Sequence, residues 1–116
     1  MRKKDFDKET SWIPTHITHD GHHFFVITIR QNNGIWYNWV CILGSQRIAD
    51  KFECVMTYTD KDGKDVTMYR GNVISIDVPK EDRPKKEGSV FEFHDHMVRK
   101  IWDGQRICYK ITVQNK

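Results

Sequence analysis

"LGSQRIADKFECVMTY", residues 43–58, interrupts a chain that otherwise reads as one apolar run after another. Its first half, "GSQRIADKF", offers only Ile48, Ala49 and Phe52 as apolar members. That is too few for a helix that must bury a stripe, so the stretch reads as a connection. The second half alternates, with Phe52, Cys54, Met56 and Tyr58 on one face and Glu53, Val55, Thr57 and Thr59 on the other. Strand, crossing loop and strand suit a chain that passes from one sheet to another.

Upstream, "IWYNWVCIL" is a strand rich in aromatic residues, and "NNG" at 32–34 turns the chain into it. "HHFFVITIRQ" is apolar on both faces and reads as a central, doubly covered strand. "TSWIPTHIT" reads as an edge strand, because Pro14 cannot donate to a ladder. The charged residues 1–9 before it form a flexible tail, leaving 10–116 as the domain.

Downstream, "DKDGK" at 60–64 is a hairpin signal between "FECVMTYT" and "DVTMYR". It lacks the third ligand and the closing Glu of a calcium loop. "NVISIDV" is a short strand, "PKEDRPKKEG" a solvated loop, and "SVFEFH" a strand again. Met97, Val98, Ile101 and Trp102 fall at helical spacing, and "DGQ" ends that helix. In "RICYKITVQ" the residues Ile107, Tyr109, Ile111 and Val113 face one way. The sum is an all-β fold, an antiparallel β-sandwich of seven to eight strands with one short helix near the C-terminus.

The 116 residues suffice for one core and not for two. Hydrophobic residues make up 38% and charged residues 30%, a globular balance. No apolar run is long enough to span a membrane and no signal-peptide pattern opens the chain, which points to an intracellular protein, cytoplasmic or nuclear. Cys41, Cys54 and Cys108 are odd in number and widely spaced, as reduced thiols are. The net charge of +3 is spread among interspersed acids, which argues against a nucleic-acid surface.

"HITHDGHH" and "HDH" at 94–96 gather the histidines. Side chains three apart on a strand point to opposite faces, so His16 and His19 do not converge unless the turn at "DGHH" folds the chain back. No cysteine lies near enough in sequence to complete a finger, and the expectation is no metal and no cofactor. No serine sits in a nucleophile-elbow context, so no catalytic residue is expected either.

Read together, "GHHFFVITI", "FECVMTYTDKDGKDVTMYRGNVISI" and "SVFEFHDHMVRKIWDGQRICYKITV" resemble the TRAF-like substrate-binding domain of the seven-in-absentia family of E3 ubiquitin ligases. The order and spacing of the family's strands run from Trp12 to the end, with "LGSQRIADKF" in the place of its crossing loop. The resemblance implies a module that selects protein or peptide substrates for ubiquitin-dependent degradation and forms a homodimer. Its peptide-binding residues are then Trp12, Ile13, Pro14 and Thr15, with Trp12 at the family's Trp and Pro14 where the family has Met. Pro14 offers neither a backbone donor nor a flexible thioether, so the Val-x-Pro peptides of the family should bind weakly. These residues contain no RING, so the chain alone is not a ligase. The alternative is a non-catalytic adaptor of the same fold with no link to ubiquitin.

Overall fold

The structure is a computed structural model that describes residues 10–11, as backbone, and 15–116. The expected tail at 1–9 and the residues Trp12, Ile13 and Pro14 lie outside the described residues.

Two sheets form the expected sandwich. In the larger, β3 (His22–Arg30) and β4 (Ile35–Ile42) pair antiparallel, with Phe24 opposite Ile42 and Val26 opposite Val40. The two short strands β1 (Thr10–Ser11) and β2 (Thr15–His19) line the far side of β3. The other side of β4 takes β7 (Ile74–Ser75) and β8 (Val90–His94). The smaller sheet has β5 (Phe52–Thr59) between β6 (Asp65–Asn72) and β9 (Tyr109–Asn115). All pairings are antiparallel except that of β4 with β7, which the long excursion through the second sheet permits.

The core lies where the two sheets face each other. Phe24, Val26, Trp36, Val40 and Ile42 from the larger sheet meet Phe52, Cys54, Met56, Tyr58 and Val113 from the smaller. The alternation read in "FECVMTYT" therefore holds up to Tyr58. Thr59 departs from it and is buried, at a point where the β5–β6 register shifts. Asn38 is one of the buried polar residues. Asn38 accepts a hydrogen bond from the Tyr58 hydroxyl and donates to the Ile27 carbonyl and to Thr28 Oγ1, at 2.7 and 2.8 Å. This satisfies a side chain that burial would otherwise penalise, and it ties one sheet to the other.

Three expectations need correction. "GSQRIADKF" contains one helical turn, α1 (Gln46–Ala49), whose start is capped by Ser45 Oγ accepting from the Ile48 amide. The scarcity of apolar residues limits it to a single turn. β3 is central but only partly covered on its second face. Phe24 and Val26 are buried, whereas Phe25, Ile27 and Ile29 on the outer face are half-buried beside a small cluster of Trp39, Cys41 and Ile74. The loop "PKEDRPKKEG" holds a 3₁₀ helix over Lys80–Lys85, anchored by Arg83 donating to the carbonyls of Val78 and Ile76, each at 3.0 Å.

The helix near the C-terminus is α2 (Asp95–Ile101), which buries Val98 and Ile101. Trp102 lies just beyond it and bridges to Ile107. At its start, Asp95 accepts from Arg30 Nε at 2.9 Å, from Arg30 Nη2 at 2.7 Å and from Trp36 Nε1 at 2.6 Å. Its carboxylate also packs over Gly34, whose φ of 83° and lack of a Cβ leave the required room.

The Arg30 guanidinium first, and the Trp36 N–H second, hold the Asp95 carboxyl below the usual carboxylate range against the opposing effect of burial. Because the folded value is depressed, the stabilisation is complete above the unfolded carboxylate value of about 4 and is lost as pH falls through the folded value. We predict that Asp95→Asn lowers stability at neutral pH and flattens the loss of stability on acidification, read by urea unfolding from neutral pH to about pH 2. The cost at neutral pH should be about 3 kcal/mol, the low end for breaking a buried pair. Asp95 sits at that end because 21% of its side chain stays exposed.

Candidate functional site

Each sheet ends in a strand paired on one side only among the described residues: β2 in the larger and β9 in the smaller. These two edges run beside each other and are joined through side chains at both ends, Thr15 to Tyr109 and His19 to Asn115. A hydrogen bond of 2.8 Å between Thr15 Oγ1 and the Tyr109 hydroxyl spans the gap. Beside it lies a cleft of about 560 Å³. Val26, Ile107 and Ile111 supply an apolar floor, while Thr15, Thr28, Lys110 and Arg106 supply a polar, partly cationic rim.

The end wall of the cleft is the turn after α2. The Asp103 carboxylate accepts from the amides of Gln105 and Arg106, at 2.8 and 2.9 Å. These amides, Arg106 first, hold the Asp103 carboxyl below its usual range. Gly104, at a φ of 101°, makes the turn possible. The Ile101 carbonyl then accepts from the Cys108 amide at 2.8 Å, which closes the loop and delivers the chain to β9.

Of the site residues expected from sequence, Thr15 stands at the cleft, exposed, and the other three lie outside the described residues. Tyr109, Ile111 and Lys110 were missed as site residues. Tyr109 and Ile111 read as core-facing members of the last strand, which they are. Nothing in the local pattern signals that β9 ends its sheet opposite β2, because that follows from strand order.

The histidines fall into separate contacts. Among the described residues no serine or cysteine is hydrogen-bonded to a histidine, and no group of three or more His, Cys, Asp or Glu converges as metal ligands would. His16 and His19 do fall on opposite faces. The hairpin nevertheless folds back and brings His16 to His23. His19 donates to Asn115 Oδ1 at 3.0 Å, and the rings of His19 and His22 both pack against Phe52.

The thiols are separate. Burial pushes the Cys54 thiol up to about 11 and raises that of Cys41 as well. Cys108 lines the cleft, and its thiol is raised by burial first and by Asp103 next.

No helix among the described residues is long and apolar enough to cross a membrane. No family model matches the chain, and no curated protein matches it.

Cys108 is half-buried, whereas Cys41 and Cys54 are 1% and 0% exposed. A thiol reagent such as dithiobis(nitrobenzoate) should therefore modify one thiol of the native protein, at Cys108, and reach the other two only on unfolding. The raised thiol makes that first reaction slow at neutral pH and faster as pH rises beyond the ordinary thiol range. Peptide mapping after partial modification identifies the site, and early labelling of Cys54 would contradict the packing.

Proposed function

We propose that the chain is a protein–protein interaction module that takes an extended segment of a partner protein into the cleft between β2 and β9. The observation that carries this reading is the pair of one-sided strand edges flanking an apolar floor. An extended peptide entering there finds unpaired main-chain donors and acceptors on one or both walls. Its alternate side chains then point into the cleft and away from it. Affinity comes from the backbone and selectivity from the floor.

The resemblance to the substrate-binding domain of seven-in-absentia ligases supports the same reading and extends it. In that extension the chain acts inside the cell, selecting proteins for ubiquitin-dependent degradation. Thr15 is the one residue of the implied peptide site that the structure describes, and it lies at the cleft.

Peptides selected from a random extended library against the chain should bind along this cleft. Thr15→Arg fills its mouth from an exposed position, where substitutions rarely change stability by more than about 0.5 kcal/mol. Fluorescence anisotropy should show a loss of at least about tenfold in affinity, 1.4 kcal/mol, with the fold retained and only a small drop in melting temperature from the lost Tyr109 hydrogen bond. Selected peptides that bind Thr15→Arg as well as the parent chain overturn the reading. Trp12→Ala makes a second test: partners lost with the fold intact support a groove role for Trp12, and a large drop in stability with binding retained assigns it to packing. Val-x-Pro peptides should bind weakly or not at all, because Pro14 stands in the place of the family's Met.

We also propose a two-fold homodimer, since unpaired strand edges favour closed pairing and the resembled family forms one. Light scattering at tens of micromolar should give twice the chain mass of 13.9 kDa. A strictly monomeric species removes the dimer and leaves the peptide site standing.

A further inference from the structure

The turn between β2 and β3 passes through Asp20 and Gly21, both at positive φ, 50° and 75°. It sets His16 opposite Phe25 and Thr18 opposite His23. His16 and His23 thereby become diagonal neighbours on the outer face of the larger sheet, the face away from the core. Both are exposed. Nε2 of His16 stands 2.8 Å from Nδ1 of His23, so one nitrogen carries the proton and the other offers its lone pair. The Phe25 ring lies against His16, centroids 5.0 Å apart and planes 18° from parallel, which limits the rotamers of that imidazole.

We propose that His16 and His23 form a two-imidazole site for a divalent transition-metal ion such as Cu²⁺, Ni²⁺ or Zn²⁺, with the remaining positions taken by water. Two nitrogens each about 2.0–2.1 Å from one ion stand about 2.9–3.4 Å apart at the angles such ions prefer. From 2.8 Å the pair reaches that range by tilting both rings and opening by a few tenths of an ångström, as the ion takes the place of the shared proton, which moves to the other nitrogen of its own ring so that both imidazoles bind neutral. Neutral imidazole suits these ions, whereas Mg²⁺ and Ca²⁺ demand oxygen.

The other histidines do not extend the set. His19 is bonded to Asn115 and His22 packs on Phe52, both turned toward the second sheet. With two protein ligands the site is open, unlike the closed four-ligand sites that hold small domains together. It is an occupiable surface site and not a support of the fold, so it stands apart from the peptide cleft proposed above.

The full chain, first stripped of metal with a chelator, is titrated with Ni²⁺ alone by calorimetry and with trace Cu²⁺ by NMR. The expected result is one saturable ion per chain, weakened at least tenfold in His16→Gln and in His23→Gln and unchanged in His94→Gln and His96→Gln. Cu²⁺ should broaden the imidazole signals of His16 and His23 before those of any other histidine. Affinity should fall on acidification, because protons compete for the same nitrogens. The chelator should leave the melting temperature where it was. Absence of saturable binding, binding indifferent to both variants, or first broadening elsewhere overturns the site. The broadening needs no variant, so it decides the question even if a substitution were to disturb the hairpin.

Discussion

The Arg30–Asp95 pair is the constraint on which the site depends. Arg30 closes β3 and is 4% exposed, Asp95 opens α2, and Trp36 near the start of β4 donates to the same carboxylate. A buried guanidinium left without its acid is costly, so the bidentate geometry fixes where α2 begins. α2 in turn fixes the turn at 103–106, and that turn walls the cleft. The chemistry of the cleft is thus set from the opposite end of a helix whose Val98 and Ile101 reach the core.

Among the described residues the two sheets are unequal, six strands against three. A three-stranded sheet cannot cover the whole inner face of its partner. At the β2–β9 side the shortfall is a cleft bridged by a hydrogen bond between Thr15 and Tyr109. The outer faces differ in character. That of the larger sheet carries the Trp39, Cys41 and Ile74 cluster. That of the smaller is polar around Glu53, whose carboxyl is held down to about 2 by Arg70 and Gln114.

Much of this was legible in the chain. The alternation Phe52, Cys54, Met56, Tyr58 predicted the core face of β5, and Pro14 beside Thr15 predicted an edge. "DHMVRKIW" predicted a helix from its spacing, and the helix forms but stops at Ile101, leaving Trp102 extended. What was not legible depends on partners distant in sequence. Asn38 reads as a polar break in an aromatic strand, and only Tyr58, from the other sheet, shows why it is tolerated inside. The single turn α1 rests on a Ser45 cap that weighs little against the poor apolar count of the stretch. Half-coverage of β3 depends on which distant residues gather at Ile27 and Ile29 on its outer face, which no local pattern encodes. The cleft was invisible for the same reason, since its two walls are joined by strand order alone.

Strand geometry also separates the two surfaces of β2. Consecutive side chains point to opposite faces, so Thr15 turns inward to the cleft and Tyr109 while His16 turns outward to Phe25 and His23. A change at one position removes contacts that the other does not share. The proposed peptide site and the proposed metal site therefore lie on the same five-residue strand without competing for space. They remain coupled only through the backbone of β2, which is pinned to β3 along its whole length from Thr15 to His19. Such pinning leaves the outward imidazole of His16 exposed, while Ile17 on the inward face of β2 packs against the core.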